Sequence, residues 1–209
     1  MLDMIQVETH SSIRLALEKV IYIDPFRLSG TPHDADIILI THDHFDHLSP
    51  DDIRKAMKAE TVLVCPRSVT GADGLGMTVQ KVGTQETFTV GGVTIETVPA
   101  YNKRKPFHPR SKGWVGYVIE SAAHGRIYVA GDTDLTPEAQ QVRCQIAMLP
   151  IGGTYTTDAK QAAKLANAIR PDYVIPVHYG SVAGRPEDAD VFASLVDDGI
   201  EVVRKIERF

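Results

Sequence analysis

The sequence predicts an α/β chain in which two β-sheets pack together with helices on the outside. Three observations carry this. Short β-rich runs fill the first two thirds; a strand is followed by a helix once in each half; and no linker, low-complexity segment or short-period repeat interrupts the 209 residues. The length is enough to bury a sizeable core, and the expectation is a single domain over residues 1–209.

The elements follow in order. "IRLALEKVIYIDPF" reads as a hairpin, with strands at 13–17 and 20–24 about a turn at Glu18-Lys19. "ADIILITH" is an apolar, β-branched run of the kind buried on both faces. Ser49-Pro50-Asp51-Asp52 opens a helix: serine is placed to cap, proline takes the first helical position, and an acid three residues on approximates a capping box. Ile53, Ala56 and Met57 then keep helical spacing. "TVLVC", "TFTV" and "VTIETV" are strands, the last two joined by the turn signal Gly91-Gly92. "GWVGYVIE" and "GRIYVAGD" pair around "SAAHG", and "QIAMLPI", "YVIPVH" and "IEVVRKIE" complete the strands. "TTDAKQAAKLANAIRP" is the clearest helix, with Ala159, Ala162, Ala163, Ala166 and Ile169 on its inner face and Pro171 ending it. "PEDADVFASLVDDG" is a third helix, stopped by Gly199.

Composition narrows the function classes. At 43% hydrophobic and 23% charged residues the chain is an ordinary soluble globular protein, and a net charge of -5 supplies no basic field for nucleic acid or an anionic membrane. Cys65 and Cys144 are too few for a disulfide scaffold and suit a reducing compartment. "MLDMIQVETH" is not a signal peptide, and no segment approaches a membrane span, so a cytoplasmic location is expected.

The chemistry concentrates in "ITHDHFDHLSPDD". Three histidines and two aspartates stand between His42 and His47, directly after a buried strand. His42 and His44 are two apart, so on extended backbone they project to one side; Asp46 and His47 lie where the chain turns into the helix and face the same pocket from another direction. One segment thus offers ligands to two adjacent cations, and neutral imidazole with carboxylate is a donor set for zinc, manganese or iron. Asp132 in "IYVAGDTD" and His178 in "VIPVHYG" also follow apolar strands, where pockets in sheet proteins tend to lie.

At these residues the chain resembles the metallo-β-lactamase superfamily. The likeness rests on His42-Asp43-His44-Phe45-Asp46-His47, on Gly131-Asp132-Thr133 and on Pro176-Val177-His178-Tyr179-Gly180. "YIDPF" and "LPIGGTYTTD" look like the branch of ascorbate-6-phosphate lactonase-like and other uncharacterised metal-dependent hydrolases. The resemblance implies a four-layer αβ/βα sandwich with two divalent ions, zinc first and manganese or iron as alternatives. It implies that His42 and His44 hold the first metal, that Asp46, His47 and His178 hold the second, and that Asp132 bridges them.

The family pattern wants one more histidine, and after "IETVPA" this chain has Tyr101-Asn102 instead. His124 sits in the "SAAHG" turn, about seven residues at roughly 3.3 Å each from Asp132, hence at the far end of that hairpin. His108, in the loop 99–113 on the Asp132 side, is the choice for the third ligand; Asn102 is the alternative, as a weak oxygen ligand or a substrate contact. Asp24 is expected to accept from a ligand imidazole, and His10 to line the pocket or simply end a strand. Tyr155 and Tyr179 are candidate donors to a substrate oxygen. "KRKPFHPRSK" suggests a basic lip for an anionic small-molecule substrate. The reaction implied is hydrolysis of a small ester, lactone, amide or phosphodiester by a metal-bound hydroxide, with Asp46 orienting the nucleophile or shuttling its proton. An iron-dependent redox member of the same fold and a non-catalytic metal-binding domain are the rival readings.

Overall fold

Two sheets make up the computed structural model, which describes residues 2–209, and the run read as buried on both faces supplies an inner parallel strand of the first. The first sheet has the order β1-β2-β3-β4-β5-β6, with β1 Ile5–Val7, β2 Ile13–Ala16, β3 Val20–Ile23, β4 Ala35–Leu39, β5 Met57–Pro66 and β6 Thr78–Val82. The second has the order β13-β12-β11-β10-β9-β8-β7, with β7 Thr87–Val90, β8 Val93–Pro99, β9 Val115–Ser121, β10 Gly125–Val129, β11 Ile146–Pro150, β12 Tyr173–Val177 and β13 Glu201–Val202. Strands β3 to β6 pair in parallel, as do β10 to β13, and the remaining pairs are antiparallel.

Alternate side chains of the two sheets meet in one apolar core: Ile21, Ile37, Leu39 and Val64 from the first sheet lie with Ile95, Ile119, Ile127, Met148 and Ile175 from the second. The outer face of the first sheet is covered by α1 (Pro50–Ala56), whose Ile53 and Ala56 pack with Tyr22, Ile38 and Leu63. The outer face of the second is covered by α2 (Ala159–Ile169) and α3 (Asp188–Ala193). The result is helix, sheet, sheet, helix: the αβ/βα sandwich.

Three local differences from the sequence reading have identifiable causes. The capping box of α1 does not close. Ser49 accepts from the Asp52 amide, but the Asp52 carboxylate accepts from the amides of Arg27 and Leu28, at 2.8 and 3.0 Å, and so pins that loop instead. Met57 leaves the helix for extended backbone and begins β5. Helix α3 stops at Ala193, short of Gly199, because Asn167 of α2 donates to the Leu195 carbonyl and accepts from the Asp197 amide, taking groups that further helical turns would use. β1 and β6 were not foreseen, and only Glu201–Val202 of "IEVVRKIE" pairs as a strand. The two cysteines are buried and free, and among the described residues no helix is long and apolar enough to cross a membrane.

Candidate metal centre

Four chain segments converge where the sheets meet, each leaving the end of a strand or hairpin. The first follows β4. Asp24, one residue past β3, accepts from the Thr41 amide (2.8 Å) and the Thr41 hydroxyl (2.6 Å), and its Oδ2 lies 2.7 Å from His47 Nδ1. This buried carboxylate fixes both the start of the histidine loop and the ring of His47, leaving Nε2 free to point inward. The amides of His47 and Leu48 donate to the His44 carbonyl, closing the turn that brings Asp46 and His47 back beside His42.

The second segment delivers Asp132 from β10 through Gly131, whose φ is +64°. A Cβ at Gly131 would lie 3.1 Å from the Val115 carbonyl and 3.2 Å from the Thr41 side chain, so a larger residue would be strained in its backbone and crowded by both sheets. The third delivers His178 from β12, its amide donating to the His10 carbonyl at 2.9 Å. Here too a glycine makes room: a Cβ at Gly152 would come within 2.3 Å of the His178 carbonyl. The fourth is the loop after β8. The Asn102 amide donates to the His108 carbonyl at 2.8 Å, so residues 103–107 form a closed excursion and the chain returns to place His108 where a residue directly after β8 would otherwise stand. This is how the sequence omits a histidine at 101–102 and still supplies its ring.

The side chains fall into two groups joined by one carboxylate. Ring nitrogens of His42, His44 and His108 converge, with His42 Nε2 at 3.1 Å from His44 Nδ1 and at 3.3 Å from His108 Nε2. Asp46, His47, His178 and His10 offer a second set of atoms within 4.8 Å of one another. Asp132 lies between: its Oδ2 is 3.1 Å from His178 Nε2, 3.2 Å from His108 Nε2 and 3.8 Å from His42 Nε2, while its Oδ1 is 3.4 Å from His47 Nε2. The donor set passes a direct test of fit. His47 Nε2, His178 Nε2 and Asp132 Oδ1 are buried with no hydrogen-bond partner, although the Asp132 carboxylate lies 3.4 Å from the first through Oδ1 and 3.1 Å from the second through Oδ2. Orphaned polar atoms are rare in protein interiors, and three gathered around one carboxylate suit a cation.

Electrostatics agree. Burial, then the neighbouring His47, holds His42 well below the ordinary histidine range, in the neutral form that ligates metal. Burial likewise pushes His10 down to about 4. Burial tends to raise Asp46, but the His10 contact at 3.1 Å and His47 outweigh it and bring the carboxyl down to about 2. His47 moves the other way: burial lowers it, yet Asp132 and Asp24 lift it to about 10. A consequence follows for metal uptake. Without metal, His47 is protonated at pH 7–8, since that lies below about 10, and its Nε2 must lose the proton to ligate. Cation binding is therefore expected to release about one proton per chain from this residue and to strengthen as pH rises toward 10. Titration calorimetry in buffers of different ionisation enthalpy measures this; a binding enthalpy independent of buffer contradicts it.

Of the other expected residues, Asn102 does not take the place of His108. Its amide nitrogen donates to the Tyr155 carbonyl at 2.6 Å and lies 3.3 Å from His108 Nδ1, so it braces that ring. His10 is a pocket residue, its ring 3.8 Å from that of His178. Tyr155 stands at the rim, half-buried against Phe107. Tyr179 is a correction: its ring lies in the apolar cluster under α2 and α3 and against Phe209, so it cannot serve a substrate at the histidine cluster. The basic lip also needs correcting. Lys105 pairs with Asp134 at 2.6 Å and Arg110 with Glu138 at 2.8 Å, so two of its five cations tie the loop down. His124 lies at the turn between β9 and β10, away from the cluster, as expected.

Sequence reasoning missed Trp114 and Thr41. The chain's one tryptophan is buried with its ring 4.9 Å from both His42 and His44 and 5.4 Å from His108, forming the apolar wall of the first group. Its position at the end of the 99–113 loop was the available signal. Among the described residues, four of the eight non-glycine positions with positive φ are His10, Asp24, His108 and His178, so backbone strain gathers at this site, as it does at functional sites generally.

Comparison with known proteins gives a consistent picture. A beta-lactamase superfamily domain matches residues 5–178. The chain is 32% identical to a UPF0173 metal-dependent hydrolase of Methanopyrus kandleri, over 92% of this chain and 91% of that protein. It is 31% identical to another from Thermus thermophilus, with the same coverage of both. Among solved structures, a candidate metal-dependent hydrolase of Parabacteroides distasonis superposes with a TM-score of 0.81 at 32% identity, covering 96% of this chain and 91% of that one. Igni18, a metallo hydrolase of Ignicoccus hospitalis, gives a TM-score of 0.75 at 24% identity over 97% and 95% of the two chains, a likeness of fold.

Proposed function

Because the chain belongs to the beta-lactamase superfamily and, within it, to the UPF0173 metal-dependent hydrolases, we propose that its reaction is hydrolysis of a small ester, lactone, amide or phosphodiester at a dinuclear centre, zinc being the expected metal. The observation that carries this is the pair of ligand groups joined through Asp132. His42, His44 and His108 would hold one cation, Asp46, His47 and His178 the other, with Asp132 contributing an oxygen to each. Divalent ions held there would supply Lewis acidity, lowering the pKa of a water toward neutrality and polarising the oxygen under attack.

The chain's own groups do the remaining work. Asp46, held by His10 and lowered to about 2, stays ionised and orients the attacking water; a carboxyl that weakly basic is poorly suited to store its proton. Trp114 and the apolar residues beneath it keep bulk water from the first group, which strengthens each charge interaction there. The site requires no serine or cysteine nucleophile, and both cysteines lie buried in apolar clusters. Of the candidate ligand histidines, His44 alone is partly open to solvent while His42, His47, His108 and His178 are buried, so substrate reaches the centre past it.

The substrate is expected to be a small molecule and the chain to act as one domain. The test is a panel of chromogenic esters, lactones, amides and phosphodiesters assayed on protein of known metal content. Turnover of one class that disappears on metal removal and returns with zinc supports the reading. Oxygen-dependent turnover with iron would instead favour redox chemistry on this fold, and full metal occupancy with no turnover would favour a binding role.

A further inference from the structure

Two large apolar side chains stand exposed at the mouth of the site, each beside a candidate ligand. Phe45 lies between His44 and Asp46 and is 68% exposed; Phe107 directly precedes His108 and is 42% exposed. Neither is loose. Phe45 is braced by Phe26, with ring centroids 6.0 Å apart at 78°, and Phe26 in turn meets the His10 ring edge-on at 6.4 Å. Phe107 is braced by Tyr155, with centroids 4.8 Å apart at 79°. Phe45 is thus linked through Phe26 to His10 of the second ligand group, Phe107 directly precedes His108 of the first, and half-exposed His44, next to Phe45 in the chain, has its ring 4.7 Å from that of His108. An exposed phenylalanine is disfavoured in water and gains only when something covers it. Propping two of them around the opening to a buried polar centre is an arrangement for gripping an apolar group.

Two of the loop's five cations are engaged within the protein. The loop that carries Phe107 turns Lys105 inward to Asp134 and the Thr156 carbonyl. It also turns Arg110 to Glu138 and lays that guanidinium 5.1 Å over the Tyr101 ring. Lys112 sits 5.6 Å over Trp114.

We propose that Phe45 and Phe107 are specificity-determining residues that clasp an aromatic or other apolar substituent next to the bond being cleaved. The substrate class is then a carbonyl compound, an ester or amide with an apolar acyl group, and not a small phosphorylated anion. This rests on the dinuclear reading above.

The test measures carboxylate binding to the zinc-loaded protein by titration calorimetry, with acetate, 4-phenylbutyrate and inorganic phosphate as probes. Both carboxylates offer the same head to the metals and differ only in the apolar arm. The expectation is that 4-phenylbutyrate binds at least about tenfold tighter than acetate. Phe45→Ala and Phe107→Ala are each expected to reduce that ratio, and the double variant to bring it within about twofold, with acetate affinity and zinc content unchanged. Phe45→Leu should keep most of the preference. Equal binding of the two carboxylates to the unaltered protein, a preference that survives in the double variant, or phosphate binding tighter than 4-phenylbutyrate would each overturn the proposal. Binding of neither carboxylate, or failure to load zinc, would overturn the metal-centre reading itself, which is a separate result.

Discussion

Replacing Asp132 by alanine is expected to lower kcat/KM by at least about 10³-fold and to leave at most one bound metal per chain. The reason is position. Asp132 is the carboxylate set between the two ligand groups, with its Oδ2 toward His108, His42 and His178 and its Oδ1 toward His47. Removing it takes away an oxygen from each cation and the negative charge that holds them close. It also takes away the largest influence raising His47, whose pKa should fall from about 10. The fold should persist, because Asp132 makes no contact that shapes the sheets: Gly131 and Thr133 on either side carry the backbone geometry, Thr133 through its hydroxyl to the Tyr101 carbonyl. Circular dichroism checks the fold, elemental analysis the metals and steady-state kinetics the rate. Emission of Trp114, beside the first group, adds an internal reporter of occupancy. An Asp132→Ala protein that keeps two metals and its rate would refute the bridging role.

Asp24→Ala is expected to act on stability as well as on metal binding. Asp24 touches no candidate cation, yet its carboxylate accepts from the Thr41 amide and hydroxyl and orients His47 Nδ1. Alanine leaves these buried donors without an acceptor. That costs about 3–5 kcal/mol by analogy with other broken buried polar networks. For a chain of this size the midpoint of thermal unfolding should drop by roughly 10 °C. His47, free to rotate, should bind its cation about 10–100-fold more weakly. Differential scanning calorimetry on metal-free protein isolates the first effect and metal titration the second. Asp24→Asn, which preserves the shape and suits the left-handed backbone at φ +47°, should retain most of the stability while still weakening metal binding. A metal-free Asp24→Ala protein as stable as the parent would show that Thr41 and His47 find other partners.

What the sequence made legible at this site is what a continuous segment encodes. His42, His44, Asp46 and His47 are tied together by local spacing, so the direction of each could be reasoned from one strand and one turn. His108 could be reached by topology, since the ends of its loop had to lie on the Asp132 side; the amide of Asn102 bonded to the His108 carbonyl then shows how the loop closes. Asp24 was legible for the same reason, as a carboxylate at a strand end next to an imidazole cluster.

The rest depends on packing between distant segments, which spacing does not reveal. Trp114 is one residue before β9 and looked like part of a strand. Its place against His42 and His44 arises only when the second sheet lies on the first. Tyr179 adjoins His178 in sequence, yet the positive φ at His178 turns the chain so that the tyrosine faces the core. Lys105 and Arg110 looked like free charges until Asp134 and Glu138, about 30 residues away, met them. β1 and β6 were missed because each lies at a sheet edge, where the hydrophobic pattern is weakest: β1 has only three residues and β6 buries only its last. The fold class survived these errors because it rests on the apolar inner strands β4, β10, β11 and β12, whose composition admits few alternatives.

The most direct measurement is elemental analysis by plasma mass spectrometry on protein grown with ample zinc, manganese and iron and purified without chelators. The expected result is two equivalents of transition metal per chain, zinc predominating, falling to one when His44 is replaced by alanine. Protein that carries no metal under those conditions, or whose metal content is untouched by loss of His44, would contradict a paired cation centre.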